Sequence, residues 1–186
     1  VNVLDFCFGL GYNSAAAIDA AKFGINIVAL ENDEEVLKKI KEIPYPFKCQ
    51  ELITEAIEAK EYTKGNVSIK IIIGDATNTI KTIQGPFDAV FFDPFSPKKS
   101  ELWTVQIFRD ILNVMTKGGI LATYSCAGIA RRIGVQMNPV LQVTGLLGET
   151  ASEAHSRRGI RRCQNVEIHA SRVLQHNFPP GWAGPP

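Results

Sequence analysis

The sequence predicts a doubly wound α/β domain with a mostly parallel sheet. Three observations carry that reading. Short β-branched runs alternate with longer amphipathic stretches over the first 125 residues, most of those runs are apolar throughout, and the first enters a helix through a glycine-bearing turn. Strands apolar on both faces suit a parallel sheet covered by helices on each side. A chain of 186 residues that is 45% hydrophobic and 21% charged fits one globular domain and excludes collagen-like or disordered classes. No apolar run approaches the roughly 20 residues that a membrane-spanning helix needs, and no signal peptide is expected.

The strands are expected at Val1–Cys7, Asn26–Leu30, Val67–Ile73, Phe87–Phe92 and Gly119–Tyr124. Between them, helical spacing covers Asn13–Phe23, Asp33–Ile43, a segment within Gln50–Tyr62, Thr77–Ile83 and Glu101–Thr116. Asn13 and Ser14 suit the start of the first helix and Gly24 its end, while Gly118 and Gly119 suit the end of the last. After about Arg132 the pattern fades. Val140–Leu147 and Val166–Ala170 read as strands, Ser156–Arg162 as a basic loop, and Phe178–Pro186, with four prolines and two glycines, as a loose tail.

Charge divides the chain in a similar place. All twelve lysines lie at or before Lys117, and residues 138–186 contain neither Lys nor Asp. Residues 1–137 carry a net −1 and residues 138–186 a net +2, so the overall +1 averages two unlike compositions. The expected organisation is a catalytic core over 1–137 and an atypical, frame-shifted or disordered segment over 138–186. Because Val1 already lies in a strand, the domain is expected to be incomplete at both ends. The four cysteines form no Cys-x-x-Cys pair, which points to reduced thiols and a cytoplasmic setting. The three histidines all follow residue 154, so no metal-ligand set is expected.

The chemistry gathers at strand ends. Asp5-Phe6-Cys7-Phe8-Gly9-Leu10-Gly11 joins the first strand to the first helix, where glycines admit a close ligand and the helix offers free amides. A dinucleotide fingerprint wants a third glycine where Ser14 stands, which weakens a nicotinamide reading. The plain alternative is a tight turn without a ligand. Glu31 ends the second strand, where a carboxylate can accept both hydroxyls of a ribose. Asp75 follows the third strand and either accepts from an adenine amino group or caps the next helix. Asp93 ends the fourth strand in Phe91-Phe92-Asp93-Pro94-Phe95-Ser96-Pro97, in the same crevice. A carboxylate there can orient an amine or take its proton, with an aromatic wall to hold the substrate; the plain alternative is a capped turn.

Four blocks then resemble a known family: residues 5–13 (DFCFGLGYN), 93–99 (DPFSPKK), 101–104 (ELWT) and 123–128 (TYSCAG). Together they look like the methyltransferase domain of the MnmC-like tRNA 5-methylaminomethyl-2-thiouridine methyltransferases. The resemblance covers about residues 1–132. It implies a Rossmann-like class I methyltransferase fold with S-adenosylmethionine as methyl donor. The implied acceptor is the aminomethyl nitrogen of 5-aminomethyl-(2-thio)uridine at the wobble position of tRNA, made by a separate enzyme. By the same resemblance Asp5, Gly9 and Gly11 surround the methionine part of the donor, Glu31 the ribose and Asp75 the adenine. Asp93 faces the amine, and Pro94, Phe95 and Trp103 line the uridine pocket. Lys98, Lys99, Arg131 and Arg132 meet tRNA phosphates. Trp103 reads equally as core beside Ile107 and Phe108, and the two lysines as a solvated turn. No second glycine fingerprint follows Gly11, so the FAD-dependent oxidase activity of bifunctional members is not expected. Methyl transfer to another amine, or a non-catalytic nucleotide-binding module, are the competing readings.

Overall fold

The computed structural model describes residues 1–43, 45–94 and 101–123, together with the backbone of 142–144. Seven strands form one sheet in the order β3-β4-β2-β1-β5-β6-β7. They are β1 Asn2–Phe6, β2 Ile25–Glu31, β3 Glu61–Lys64, β4 Val67–Ile73, β5 Phe87–Phe92, β6 Met115–Ala122 and β7 Gln142–Thr144. Every neighbouring pair is parallel except β3 with β4. The helices are α1 Tyr12–Ala20, α2 Glu34–Lys38 with a 3-10 turn over Lys39–Glu42, α3 Gln50–Ala59, α4 Ala76–Thr79 and α5 Val105–Asn113.

Alternation along the strands makes the winding double. Val3, Ile27, Ala29, Ile69, Ala89 and Phe91 point to one face, where they bury α1, α2 and α3 through Ala15–Ala17, Leu37, Ile53 and Ala56. Leu4, Phe6, Leu30, Val90 and Phe92 point to the other, against Ile80 and the Ile107, Phe108 and Ile111 stripe of α5. Thr104 caps α5 by accepting from the Ile107 amide at 3.2 Å. The sheet therefore reverses direction between β1 and β5. Open α/β sheets bind ligands at such a reversal, beyond the carboxyl ends of the strands.

Several sequence expectations are corrected. The Gly118-Gly119 pair lies inside β6 instead of ending a helix, because β6 starts two residues after α5. There the β5–β6 register shifts from Phe87↔Met115 to Ala89↔Ile120, and the extra residues bulge out with Gly118 at φ 84. A Cβ on Gly119 would lie 3.1 Å from the Asp88 carbonyl oxygen. The segment after α3 turns into a β3–β4 hairpin through Gly65-Asn66, once Lys60 has ended the helix in the left-handed region. The first helix begins at Gly11, and Asn13 and Ser14 do not cap it. It ends at Ala20, leaving Gly24 in the loop before β2. The expected helix over Thr77–Ile83 is confined to the four residues of α4. β7 falls within the expected Val140–Leu147 strand and pairs with β6. Val166–Ala170, Ser156–Arg162 and Phe178–Pro186 lie outside the described residues.

Candidate active site

The turn after β1 is built around two glycines, one bordering open space and one packed against a ring. Cys7, Gly9 and Gly11 all have positive φ, at 73, 58 and 70, so the chain coils tightly before α1 starts. At Gly9 a Cβ would meet nothing within 4 Å, so the backbone borders open space. At Gly11 a Cβ would lie 2.5 Å from the Phe8 ring, and the helix start and the buried ring require glycine there together. The Gly11 carbonyl accepts from the Ala15 amide at 2.9 Å and from the Tyr45 hydroxyl at 3.0 Å. Burial raises the Tyr45 hydroxyl far above its ordinary pKa and keeps it a donor. Tyr45 also packs its ring tilted against Tyr12 and edge-on to Phe47. The sequence reading missed this tie; Tyr45 between Pro44 and Pro46 was its only signal.

Three carboxylates converge at the reversal of the sheet. Asp5 is fully buried on β1, where its Oδ2 accepts from the Ser14 hydroxyl at 2.6 Å and its Oδ1 has no hydrogen-bond partner among the described residues. Burial pushes its pKa up from 3.8 to about 7; the Ser14 bonds pull it down, and the charges of Asp93 and Glu31 push it further up. Glu31, at the tip of β2, is 8% exposed. Its Oε2 accepts from the Gly9 amide at 2.6 Å, and its Oε1 from the Asn32 and Asp33 amides at 2.8 and 2.9 Å. Asp93 stands half-buried just past β5, with its amide 3.3 Å from the Phe6 carbonyl and its Oδ2 accepting from Asn13 Nδ2 at 3.2 Å. Burial and the same three acids push the Cys7 thiol up to about 12, which favours its protonated form.

The remaining expected residues are placed as follows. Pro94 is buried behind Asp93. Asp75 is exposed and caps α4: its Oδ1 accepts from both the amide and the hydroxyl of Thr77, at 2.8 and 2.7 Å, which holds its carboxyl below the ordinary range. The neighbouring Gly74 amide ties that turn to the Glu31 carbonyl at 2.8 Å. Trp103 is 5% exposed, edge-on to Phe92 at 4.9 Å and 6.3 Å from Phe108. That packing is the core placement beside Phe108 that the sequence offered as the alternative to a pocket wall. Trp103 precedes the α5 cap and packs on the helix's first turn as a hydrophobic staple. Phe95, Lys98, Lys99, Arg131 and Arg132 lie outside the described residues. Among those described, no group of three or more His, Cys, Asp or Glu residues could hold a metal, and no helix is long and apolar enough to cross a membrane.

A doubly wound sheet with acids and an open glycine turn at its reversal defines a domain that takes a nucleoside-bearing ligand at the strand tips. Residues 37–144 match the family described as S-adenosyl-L-methionine-dependent methyltransferase, and the chain belongs to that family. It is 33% identical over 133 residues to an uncharacterised protein of Methanocaldococcus jannaschii, covering 67% of this chain and 37% of that one. It is 35% identical over 77 residues to the tRNA 5-methylaminomethyl-2-thiouridine biosynthesis bifunctional protein MnmC of Pseudoalteromonas translucida, covering 39% of this chain and 12% of the relative. Among solved structures, MnmC2 of Aquifex aeolicus superposes with a TM-score of 0.63 at 31% identity, over 72% of this chain and 47% of that one. The chain thus spans less than half the length of each of these proteins.

The cofactor is S-adenosylmethionine, and the residues fit it. Its sulfonium and ammonium suit a cluster of acids, the unpartnered Oδ1 of Asp5 suits a donor, and Gly9 leaves room for the ligand.

Proposed function

We propose that this domain N-methylates a primary amine, the aminomethyl nitrogen of 5-aminomethyl-(2-thio)uridine at the wobble position of tRNA. The observation that carries the reading is Asp93, a carboxylate fixed at the β1–β5 reversal within electrostatic reach of Asp5. Asp5, Gly9 and Gly11 hold the methionine part of the cofactor, Glu31 its ribose and Asp75 its adenine. When bound, the cofactor supplies a methyl group already activated on sulfur. The protein's own contribution is positioning and one proton. An amine attacks only through a free lone pair, so Asp93 would accept its N–H and take the proton shed as the new N–C bond forms and the methyl's bond to sulfur breaks to leave a neutral thioether. Phe95 supplies an aromatic wall next to Pro94, and Lys98, Lys99 and Arg131 supply phosphate contacts to tRNA.

A second reading has one observation in its favour. Residues 1–137 carry a net −1, and a protein that grips tRNA often shows a basic surface, so the amine could belong to a small molecule or a protein. One experiment decides between them. The chain is incubated with methyl-labelled cofactor and tRNA bearing the aminomethyl uridine, and the nucleosides are resolved. Label in the wobble nucleoside is expected; cofactor binding with no label in tRNA moves the reading to another amine.

A further inference from the structure

We propose that Asn13 is the positioning residue that orients the Asp93 carboxylate, joining the cofactor-side turn to the acceptor-side acid. The proposal rests on the reading of Asp93 as the group facing the amine. Asn13 Nδ2 donates to Asp93 Oδ2 at 3.2 Å, bringing together residues 80 positions apart. Only the amino edge of an amide can face a carboxylate, so the direction of this bond is fixed by chemistry. The last torsion of a carboxylate is intrinsically broad, and a donor on one oxygen narrows it.

The first turn of α1 is arranged around this bond. The helix starts at Gly11 with no side-chain cap and no acid in its first turn. Residues such as Asn and Ser at a helix start normally serve the helix's own amides. Here both side chains turn outward to strand-tip acids instead: Ser14 donates to Asp5 at 2.6 Å and Asn13 to Asp93 at 3.2 Å. The two acids in turn stand at the positive end of the α1 dipole, where a first-turn acid would ordinarily sit. A neutral donor also suits the chemistry. An Arg or Lys in place of Asn13 would ion-pair with Asp93 and make its carboxylate a weaker acceptor for the amine proton.

Among the described residues, these charged and titratable groups act near Asp93. Asp5 on β1 and the Cys7 thiol beyond it interact with it electrostatically, Glu31 closes the cluster from β2, and α1 presents the neutral Asn13 and Ser14. Asn13→Asp therefore adds an acid to an acid cluster.

The test is a double-mutant cycle on the full chain, read by steady-state kinetics with the aminomethyl tRNA and by calorimetric binding of S-adenosylmethionine. Asn13→Ala lowers kcat by about tenfold to a hundredfold, the scale of a misplaced reacting group, with cofactor Kd and acceptor KM unchanged. Asn13→Ser, a second variant in case the alanine chain folds poorly, keeps a short donor and recovers part of the rate. Asn13→Asp moves the acid limb of the pH–rate profile upward, because a like charge disfavours ionisation of Asp93. In an Asp93→Asn background, Asn13→Ala adds no further loss. A normal kcat for Asn13→Ala beside an impaired Asp93→Asn, or full additivity of the two losses, overturns the role of Asn13 alone. Full activity of Asp93→Asn overturns the reading of Asp93 itself.

Discussion

On the β2 side of the sheet reversal, Glu31 is tied by three backbone amides from residues 9, 32 and 33, whereas on the β5 side the Asp93 carboxylate accepts from a side chain on α1. Backbone amides belong to the fold, so a carboxylate they hold is set as soon as the turn forms. A side-chain amide is replaceable by a single substitution. Under the proposed roles, the carboxylate that meets the ribose is built into the chain path, and the one that faces the amine takes a bond from a replaceable side chain. That division suits a family whose members share one methyl donor.

Breaking the backbone-held side gives the largest effect expected here. Glu31→Gln presents an N–H edge to amides that need acceptors, and losing charge-assisted hydrogen bonds weakens S-adenosylmethionine binding by about tenfold to a hundredfold, measured by calorimetry. Unchanged affinity would place the ribose elsewhere.

Asp5 sharpens the comparison, since it sits between the two halves with a single side-chain donor. Its folded pKa of about 7 lies above the ordinary 3.8, so the native state favours the protonated acid. The contribution of Asp5 to stability is therefore fully present below the unfolded value. It is lost as pH rises through the folded one, with a slope of at most about 1.4 kcal/mol per pH unit. Asp5→Asn keeps an acceptor for the Ser14 hydroxyl and removes the charge. Urea unfolding at about pH 5 and about pH 8 should show the variant losing less stability across that window than the parent does. An identical loss in both would mean that Asp5 is already ionised in the folded chain.

The smallest effect concerns Asp75, whose Oδ1 accepts both Thr77 donors at the α4 cap. Asp75→Ala should lower the melting temperature slightly through the lost cap and weaken cofactor binding modestly if the carboxylate also reaches the adenine. Melting and calorimetry separate the two.

The legible parts of the molecule were the local ones. Val67–Ile73 and Phe87–Phe92 are strands with the expected limits, because continuous β-branched and aromatic runs bounded by glycine or proline admit little else. Glu31 and Gly9 could be placed because a strand tip and its following turn are read from adjacent residues. The Gly118-Gly119 bulge was misread because a glycine pair after an amphipathic stretch looks like a helix end, and only the β5 register reveals the strand. The aim of Asn13 was out of reach for the same reason: it looked like a helix-start residue until β5, 80 positions later, brought Asp93 to it. The core reading of Trp103 was legible from its spacing to Ile107 and Phe108, while its edge contact with Phe92 depends on a distant strand.

The β3 hairpin has a consequence outside chemistry. A sheet that ended on β4 would offer the alternating Ile69, Ile71 and Ile73 strand to any other chain in solution. Instead the last strand on that side is four residues long, with Glu61, Thr63 and Lys64 facing solvent and Lys64 paired to Glu51 of α3. Short, charged outer strands discourage edge-to-edge association. On this flank the chain carries its own guard against self-assembly, and replacing Glu61 and Lys64 with β-branched apolar residues would remove it.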